Sequence, residues 1–493
     1  MNPIRKLAGE TAIYGLSSIV PKFLNYLLVP FHTIVAFQQP GQYGVITELY
    51  AYVTFLNILL TYGMETGFFR FSQSEQDKDK VFFTTFLSVF STSLFFVLVT
   101  VFYSGEIAHW LDYGDYPEYV LMFGFILGLD AIAAVPFAGL RQQSRPIRFA
   151  LIKIGNVLIN VFFNLFFLWF CPRYSHIPWI QAFYRPEAGV AYVFLSNLLA
   201  SAATLLFLLP EVFSYRFRFS GSLLKKLLVY ALPLMLAGLA GNVNEAIDRV
   251  LLRRLLPEAV DPLAQMGIYG ANLKIAVLMV LFIQMFRYAA EPFFFSQVQN
   301  KDSGLLIARV MKYFVLFCLF IFLGVTFFLD VLKYFVGPRY WEGLGVVPIL
   351  LMANMALGIY YNLSIWYKIN NMTYIGALIA LVGASISILL NILYIPQYGY
   401  WASAWTHLIS YFCMIVIAWY LGKRYYPIPY DILRITFYIA VAVGLYFISR
   451  WAAPPALWLK TLLNIGFLGL FAGLVWYKEV DYSRVLNQNN TET

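Results

Sequence analysis

Charged side chains are scarce in this chain. Asp, Glu, Lys and Arg together make 12% of its 493 residues, about half of the roughly 25% that a water-soluble domain carries. A surface with so few charges faces something other than water. Cysteine is scarcer still: Cys171, Cys318 and Cys413 are far apart and odd in number, which argues against a disulfide framework. The histidines, His32, His109, His176 and His407, are scattered, with no HExxH and no Cys/His cluster, so no metal site and no organic cofactor is expected. There is no GxxxxGK[ST] loop, which excludes a P-loop ATPase, and no GxSxG elbow, which removes a common hydrolase signature. Long polar connections are missing as well. The widest gaps between apolar runs, about 172–188 and 247–263, have no room for a folded soluble module.

What is present is mostly apolar. Hydrophobic residues make 61% of the chain and aromatics 19%. They gather in runs of about 20 residues, the length that crosses the ~30 Å apolar core of a bilayer. A membrane β-barrel has ~10-residue alternating segments instead. The expected fold class is therefore an all-α polytopic membrane protein. Fourteen spans are expected, near 11–35, 43–67, 81–104, 119–140, 147–171, 189–210, 223–246, 264–290, 307–329, 343–366, 372–395, 400–421, 431–449 and 456–477. Arg5 and Lys6 precede the first run, but no small-residue cleavage site follows, so this run reads as an uncleaved span. With the N-terminus in the cytoplasm, inner segments hold 22 of the 34 Lys and Arg, outer segments hold 9, and three lie within spans. The positive-inside rule then places both termini in the cytoplasm. The net charge of +9 is a topological signal here, and no nucleic-acid partner is implied.

An internal repeat is visible. "GQYG" at 41–44 returns as "GIYG" at 267–270, and the following spans exit through "GFFRFSQ" (67–73) and "PFFFSQ" (292–297). Pro21 in the first span has a counterpart in Pro233 of the seventh, with a longer loop expected around 250–266 of the second copy. The expected architecture is two six-helix lobes, residues 1–220 and 221–425, in parallel repeat around a central cavity. Two further helices fall in 426–480 and a cytoplasmic tail in 481–493.

Several polar groups sit inside these spans, where an ionised side chain costs about 2.5–3.5 kcal/mol at the bilayer centre. Ser18, Lys22 and Asn25 share one helical face of the first span, and Pro21 permits a bend. Glu48 and Tyr52 share a face of the second, and the repeat places Lys274 at the position of Glu48. Asp130 stands halfway along the fourth span. Asn242, Glu245 and Arg249 share a face of the seventh, with Asp248 beside them, while Gln284, Arg287 and Glu291 share a face of the eighth. Two readings stand for most of these. Arg287 and Glu291 either neutralise each other or line a cavity. Arg249, Arg253 and Arg254 form an interfacial cluster or a site. Glu48 and Lys274 lie at headgroup depth or face an aqueous interior.

The stretches "PKFLNYLLVPF", "GQYGVITELYAYVTFLNILLTYGMETGFFRF", "IDRVLLRRLL…GIYGANLKIAVLMV…EPFFF" and "NILYIPQYGYWASAWTHLIS" resemble the first and second, the seventh and eighth, and the eleventh-to-twelfth helices of the Wzx-type polysaccharide and oligosaccharide-lipid flippases. These belong to the multidrug/oligosaccharidyl-lipid/polysaccharide (MOP) exporter superfamily, with the MATE drug exporters and MurJ-type lipid II flippases. The resemblance implies a transporter rather than an enzyme, working by alternating access in the bacterial inner membrane. Its implied cargo is a polyprenyl-pyrophosphate-linked oligosaccharide, such as an O-antigen, capsule or exopolysaccharide repeat unit. Lys22, Lys274 and Arg287 would meet the pyrophosphate; Asn25, Tyr52 and Asn242 would meet the sugar. Glu48, Asp130, Glu245, Asp248, Arg249 and Glu291 would supply cavity charge or carry a coupling proton or sodium ion. Membrane lipid is the expected surrounding, with a glycan polymerase or glycosyltransferases as partners of a monomer. The other readings are a cation-coupled MATE-like exporter, a lipid II flippase and, from another class, a membrane-embedded glycan polymerase or ligase.

Overall fold

The computed structural model describes residues 19–297, 303–370, 372–452 and 454–489, without the side chains of 74, 289, 291, 292, 295–297 and 480–489. Among the described residues there is no β-strand, and fourteen helices are long and apolar enough to cross a membrane. They are α1 Ile19–Ala36, α2 Pro40–Gln73, α3 Lys78–Phe102, α4 Pro117–Gln142, α5 Pro146–Arg173, α6 Ala191–Phe213, α7 Gly221–Leu255, α8 Pro262–Tyr288, α9 Ser303–Phe327, α10 Pro338–Ile369, α11 Thr373–Tyr398, α12 Tyr400–Tyr425, α13 Ile432–Trp451 and α14 Leu457–Glu479. Each falls on one of the fourteen expected runs.

The helix starts follow local chemistry. Gln39 and Gln42 close a reciprocal capping box on α2, with Pro40 in its first turn, so orphan N–H groups are satisfied where the helix begins. Asp77 caps α3 by accepting from the Lys80 N–H at 3.1 Å. Asp431 caps α13 in the same way through Arg434 N–H, at 3.2 Å. Two helices widen into π geometry inside the apolar region. Pro21 lies at the start of the described part of α1, and the Ser17 carbonyl that it would crowd lies outside the described residues. The irregularity comes later, in the π-helical segment Phe31–Ala36. Pro30 explains the shift: it offers no N–H to the Tyr26 carbonyl and crowds it. In α5 a matching π segment, Phe166–Phe170, precedes Pro172. The two π segments pack against each other.

α2 is interrupted at Tyr62 and Gly63, both at positive φ (30° and 73°). A Cβ on Gly63 would stand 2.7 Å from the Ala231 carbonyl oxygen of α7, so both backbone and neighbour require glycine. α7 itself runs to Leu255, well beyond the expected end at 246. Arg249, Arg253 and Arg254 therefore lie on a helix rather than in a loop. The longer connection expected near 250–266 is extra helix, followed by a short link before Pro262.

Contacts gather the chain into two compact units. The first runs to Ala271 and takes in Ala380–Ser403; the second comprises Asn272–Ile379 and the chain from Ala404 onward. Within the first unit, α7 packs along α2 and α3. The first unit holds a cluster of Met64, Phe68, Phe82, Val89, Leu127 and Leu227, with Phe82 stacked on Tyr215 at 3.8 Å between centroids. In the second, polar clips fasten α13 and α14 to α9. Lys312 pairs with Glu479, which also accepts from Tyr438 at 3.0 Å. Asn464 donates to the Phe327 carbonyl at 2.7 Å and accepts from Ser449 at 2.6 Å. Between helices in lipid, apolar contact alone gives little preference, and such polar bonds supply about 0.6 kcal/mol each, up to ~1.7.

Candidate functional site

One face of α5 carries Lys153, Asn156, Asn160 and Asn164, spaced three, four and four residues apart. This is one side of an α-helix, over a rise of about 16 Å. Each amide meets a polar partner on a neighbouring helix, α6 for the first and α1 for the other two. Asn156 donates to Thr204 of α6 at 2.9 Å. Asn160 donates to Asn25 of α1 at 3.1 Å. Asn164, fully buried, donates to Asn160 Oδ1 at 3.0 Å and shares a 2.9 Å hydrogen bond with His32, also buried. At the other end Lys153 places its ammonium 4.2 Å above the Phe137 ring and faces the charges of Asp130 and Glu65. Nearby, Asn197 donates to the Tyr50 hydroxyl at 2.7 Å. The result is a polar track inside the first unit, with Asp130 near one end and His32 at the other.

A second cluster forms where α2 begins and α7 ends. Glu48 is fully buried and accepts from the Tyr113 hydroxyl at 2.5 Å. Arg253 Nε lies 3.8 Å from the same carboxylate. Arg254 binds Asp112 at 2.9 Å and the Trp110 carbonyl at 2.7 Å, with its guanidinium 5.3 Å above the Trp110 ring. Burial, with the Glu48 carboxylate beside it, pushes the Tyr113 phenol well up, so it stays a donor. Four charges thus neutralise one another at one end of the unit.

The other expected positions are placed as follows. Lys22 and Asn25 are both exposed on α1, and the geometry joins Asn25 to α5; Ser18 lies outside the described residues. Tyr52 is half-buried within reach of Arg254. Asn242 is half-buried and Glu245 exposed. Asp248 is fully buried, 3.5 Å from Arg249 Nε, and Arg249 also donates to the Glu245 carbonyl. In the second unit Lys274 and Arg287 are exposed on α8, with Arg287 5.0 Å above the Tyr361 ring. The side chain of Glu291 lies outside the described residues, so its pairing with Arg287 is not placed. Sequence reasoning missed the α5 face and His32. The signal was available as K-x2-N-x3-N-x3-N from 153 to 164. Among the described residues no three His, Cys, Asp or Glu side chains gather to hold a metal.

Residues 36–340 match a family described as polysaccharide biosynthesis protein. No curated protein matches the chain. Among solved structures it is similar to the lipid II flippase MurJ in an inward closed conformation, at 12% identity and a TM-score of 0.73, over 95% of this chain and 100% of that one. It is similar to an inward-facing multidrug resistance MATE family transporter of the MOP superfamily, at 13% identity and 0.62, over 86% and 94%. The MATE multidrug transporter DinF-BH gives 15% identity and 0.60, over 86% and 96%. At these identities the likeness establishes a shared fold.

Proposed function

The chain belongs to the polysaccharide biosynthesis protein family, and from that premise we propose that it is a flippase. In this reading it moves a polyprenyl-pyrophosphate-linked oligosaccharide from the inner to the outer leaflet of the bacterial cytoplasmic membrane. It is a transporter rather than an enzyme, and both termini are cytoplasmic, as the distribution of Lys and Arg favours. The observation that carries the reading is Lys22 with Asn25, exposed one turn apart on a membrane-spanning helix. A cation facing hydrocarbon is costly, which supports an aqueous route along this face of α1. A pyrophosphate is the anion such a site suits, because charge-assisted hydrogen bonds strengthen out of bulk water.

In the same reading Lys274 and Arg287 meet the pyrophosphate from α8, while Asn25, Tyr52 and Asn242 meet the sugar. The lobes, residues 1–220 and 221–425, alternate access around the cargo. Asp130, beside Lys153 at the end of the α5 track, carries a coupling proton or sodium ion, with Glu245 and Asp248 as further acidic candidates. A deletion strain tests this. Loss of surface glycan, with a lipid-linked sugar accumulating on the cytoplasmic face, is expected. Unchanged surface glycan overturns the reading. Altered drug susceptibility with intact glycan then selects the cation-coupled exporter, and stalled peptidoglycan precursor selects lipid II as cargo.

A further inference from the structure

The two GxYG motifs meet. α2 and α8 cross at their first turns, and the contact is reciprocal. A Cβ on Gly44 would fall 1.9 Å from the carbonyl oxygen of Leu263, and a Cβ on Gly267 would fall 1.9 Å from that of Pro40. Each glycine thus sits on the carbonyl four residues before the other. One turn deeper, a Cβ on Gly270 would fall 2.3 Å from the Thr47 hydroxyl oxygen. No side chain fits between these backbones. All of these residues belong to the first unit. Tyr43 and Tyr269, the aromatic residues of the two motifs, are both buried.

The charge cluster closes the same end. Arg253 and Arg254 terminate α7, just before the short link to α8. They hold Glu48, one turn past Gly44, and Asp112 in the connection between α3 and α4. Glycine contact and charge contact are independent chemistries, and both draw the start of α8 and the end of α7 onto the start of α2. Backbone contact of this closeness excludes water. The charged ring around it is strong while shielded and weak once hydrated, which suits a contact that forms and breaks.

We propose that this crossing is the outer gate of the transport cycle, closed in this structure, and that the repeated glycines serve to let it seal. The proposal rests on the flippase reading for its direction, since the end concerned is the outer one when both termini are cytoplasmic. Its mechanical content concerns accessibility and needs no cargo. When Gly44 is replaced by alanine, a methyl group lodges against a carbonyl that has no room for it, and the closed state alone is penalised.

The test uses the full-length protein in cells, with Cys171, Cys318 and Cys413 replaced by serine and Asn57→Cys as reporter. Asn57 is exposed on α2, about 20 Å along the helix from Gly44. A membrane-impermeant maleimide is added from outside, and in parallel to inverted vesicles. In the parent, label enters from the vesicle side. In Gly44→Ala and Gly267→Ala at matched protein level, labelling from outside rises about tenfold, as a shift in a two-state equilibrium requires. Arg254→Glu serves as an independent variant that leaves both glycines intact. It raises outside labelling in the same sense, and adding Asp112→Arg brings it part of the way back. Outside labelling equal to the parent in both the glycine and the Arg254 variants overturns the gate. Labelling that responds as expected in a strain whose deletion leaves surface glycan intact retains the gate and rejects the flippase reading, so the two fail separately.

Discussion

His32 of α1 and Asn164 of α5 share a 2.9 Å hydrogen bond between two buried side chains, beside the point where both helices widen into π turns. Asn164→Leu leaves the His32 ring nitrogen buried without that partner. An unsatisfied buried polar group costs about 1–3 kcal/mol. The purified variant is expected to unfold at lower temperature in detergent, with Asn25→Ala much milder because its bond to Asn160 is exposed. Equal effects of the two substitutions contradict the track as described.

Lys22→Ala is expected to insert normally and to stop export of surface glycan, while Lys22→Arg keeps a measurable part of it because the charge remains. Surface glycan is compared at matched protein level by immunoblot. Wild-type glycan in Lys22→Ala removes the proposed phosphate contact.

Tyr113→Phe deletes the donor that Glu48 holds at 2.5 Å. A hydrogen bond to a charged group contributes about 1.5–3 kcal/mol, and a loss of stability of that order is expected. Since burial beside Glu48 pushes the Tyr113 phenol well up, the phenol stays protonated and the difference between wild type and variant is expected to persist at mildly alkaline pH. A difference that disappears there means the phenol ionises after all.

Lys312 and Glu479 bind α14 to α9 from nearly buried positions. Removing one partner strands the other charge, at about 3–5 kcal/mol. Lys312→Ala is expected to free the α13–α14 pair for proteolysis, read as early cleavage in the 452–457 connection. The double variant Lys312→Met with Glu479→Leu restores resistance, since an apolar pair of similar volume is tolerated there.

Asp77 sets a pH dependence outside the spans. Its bond to the Lys80 N–H, then Arg218 at 3.0 Å, hold its carboxyl below the usual carboxylate range. A depressed folded pKa contributes stability above the unfolded value, and that contribution is lost as pH falls through the folded one. Amide exchange in the first turn of α3 is expected to quicken on acidification below about pH 4, and Asp77→Asn to flatten that profile. An unchanged profile in Asp77→Asn assigns the effect elsewhere.

The fourteen spans were legible because an apolar run of about 20 residues is a one-dimensional signal that needs no partner. Positions such as Glu48 were not. Beside Tyr52 on one helical face it looked like a headgroup or cavity residue; its donor Tyr113 and its cation Arg253 are far away in sequence, and only the fold brings them to a fully buried carboxylate. The end of α7 was missed because Arg249, Arg253 and Arg254 break the hydropathy pattern without breaking the helix. The repeat was readable in the two GxYG motifs, yet the helices cross with Gly44 against the first glycine of the second motif rather than its sequence equivalent, Gly270. A shift of one turn is a matter of docking, and no pattern within either motif encodes it. The α5 face was written in plain spacing, but three asparagines among phenylalanines weigh little in any hydropathy average.

The π segment of α1 has a bearing on aim. A π turn carries one residue more than an α turn, and one residue is worth about 100° of rotation about the axis. Everything N-terminal to Phe31–Ala36 is indexed through that extra residue. Shorten the segment by one, and Lys22 and Asn25 swing together to another flank of the helix, even though the rest of the fold keeps its place. The bearing of the lysine is therefore fixed at a distance, by the register of a widened turn beside Pro30.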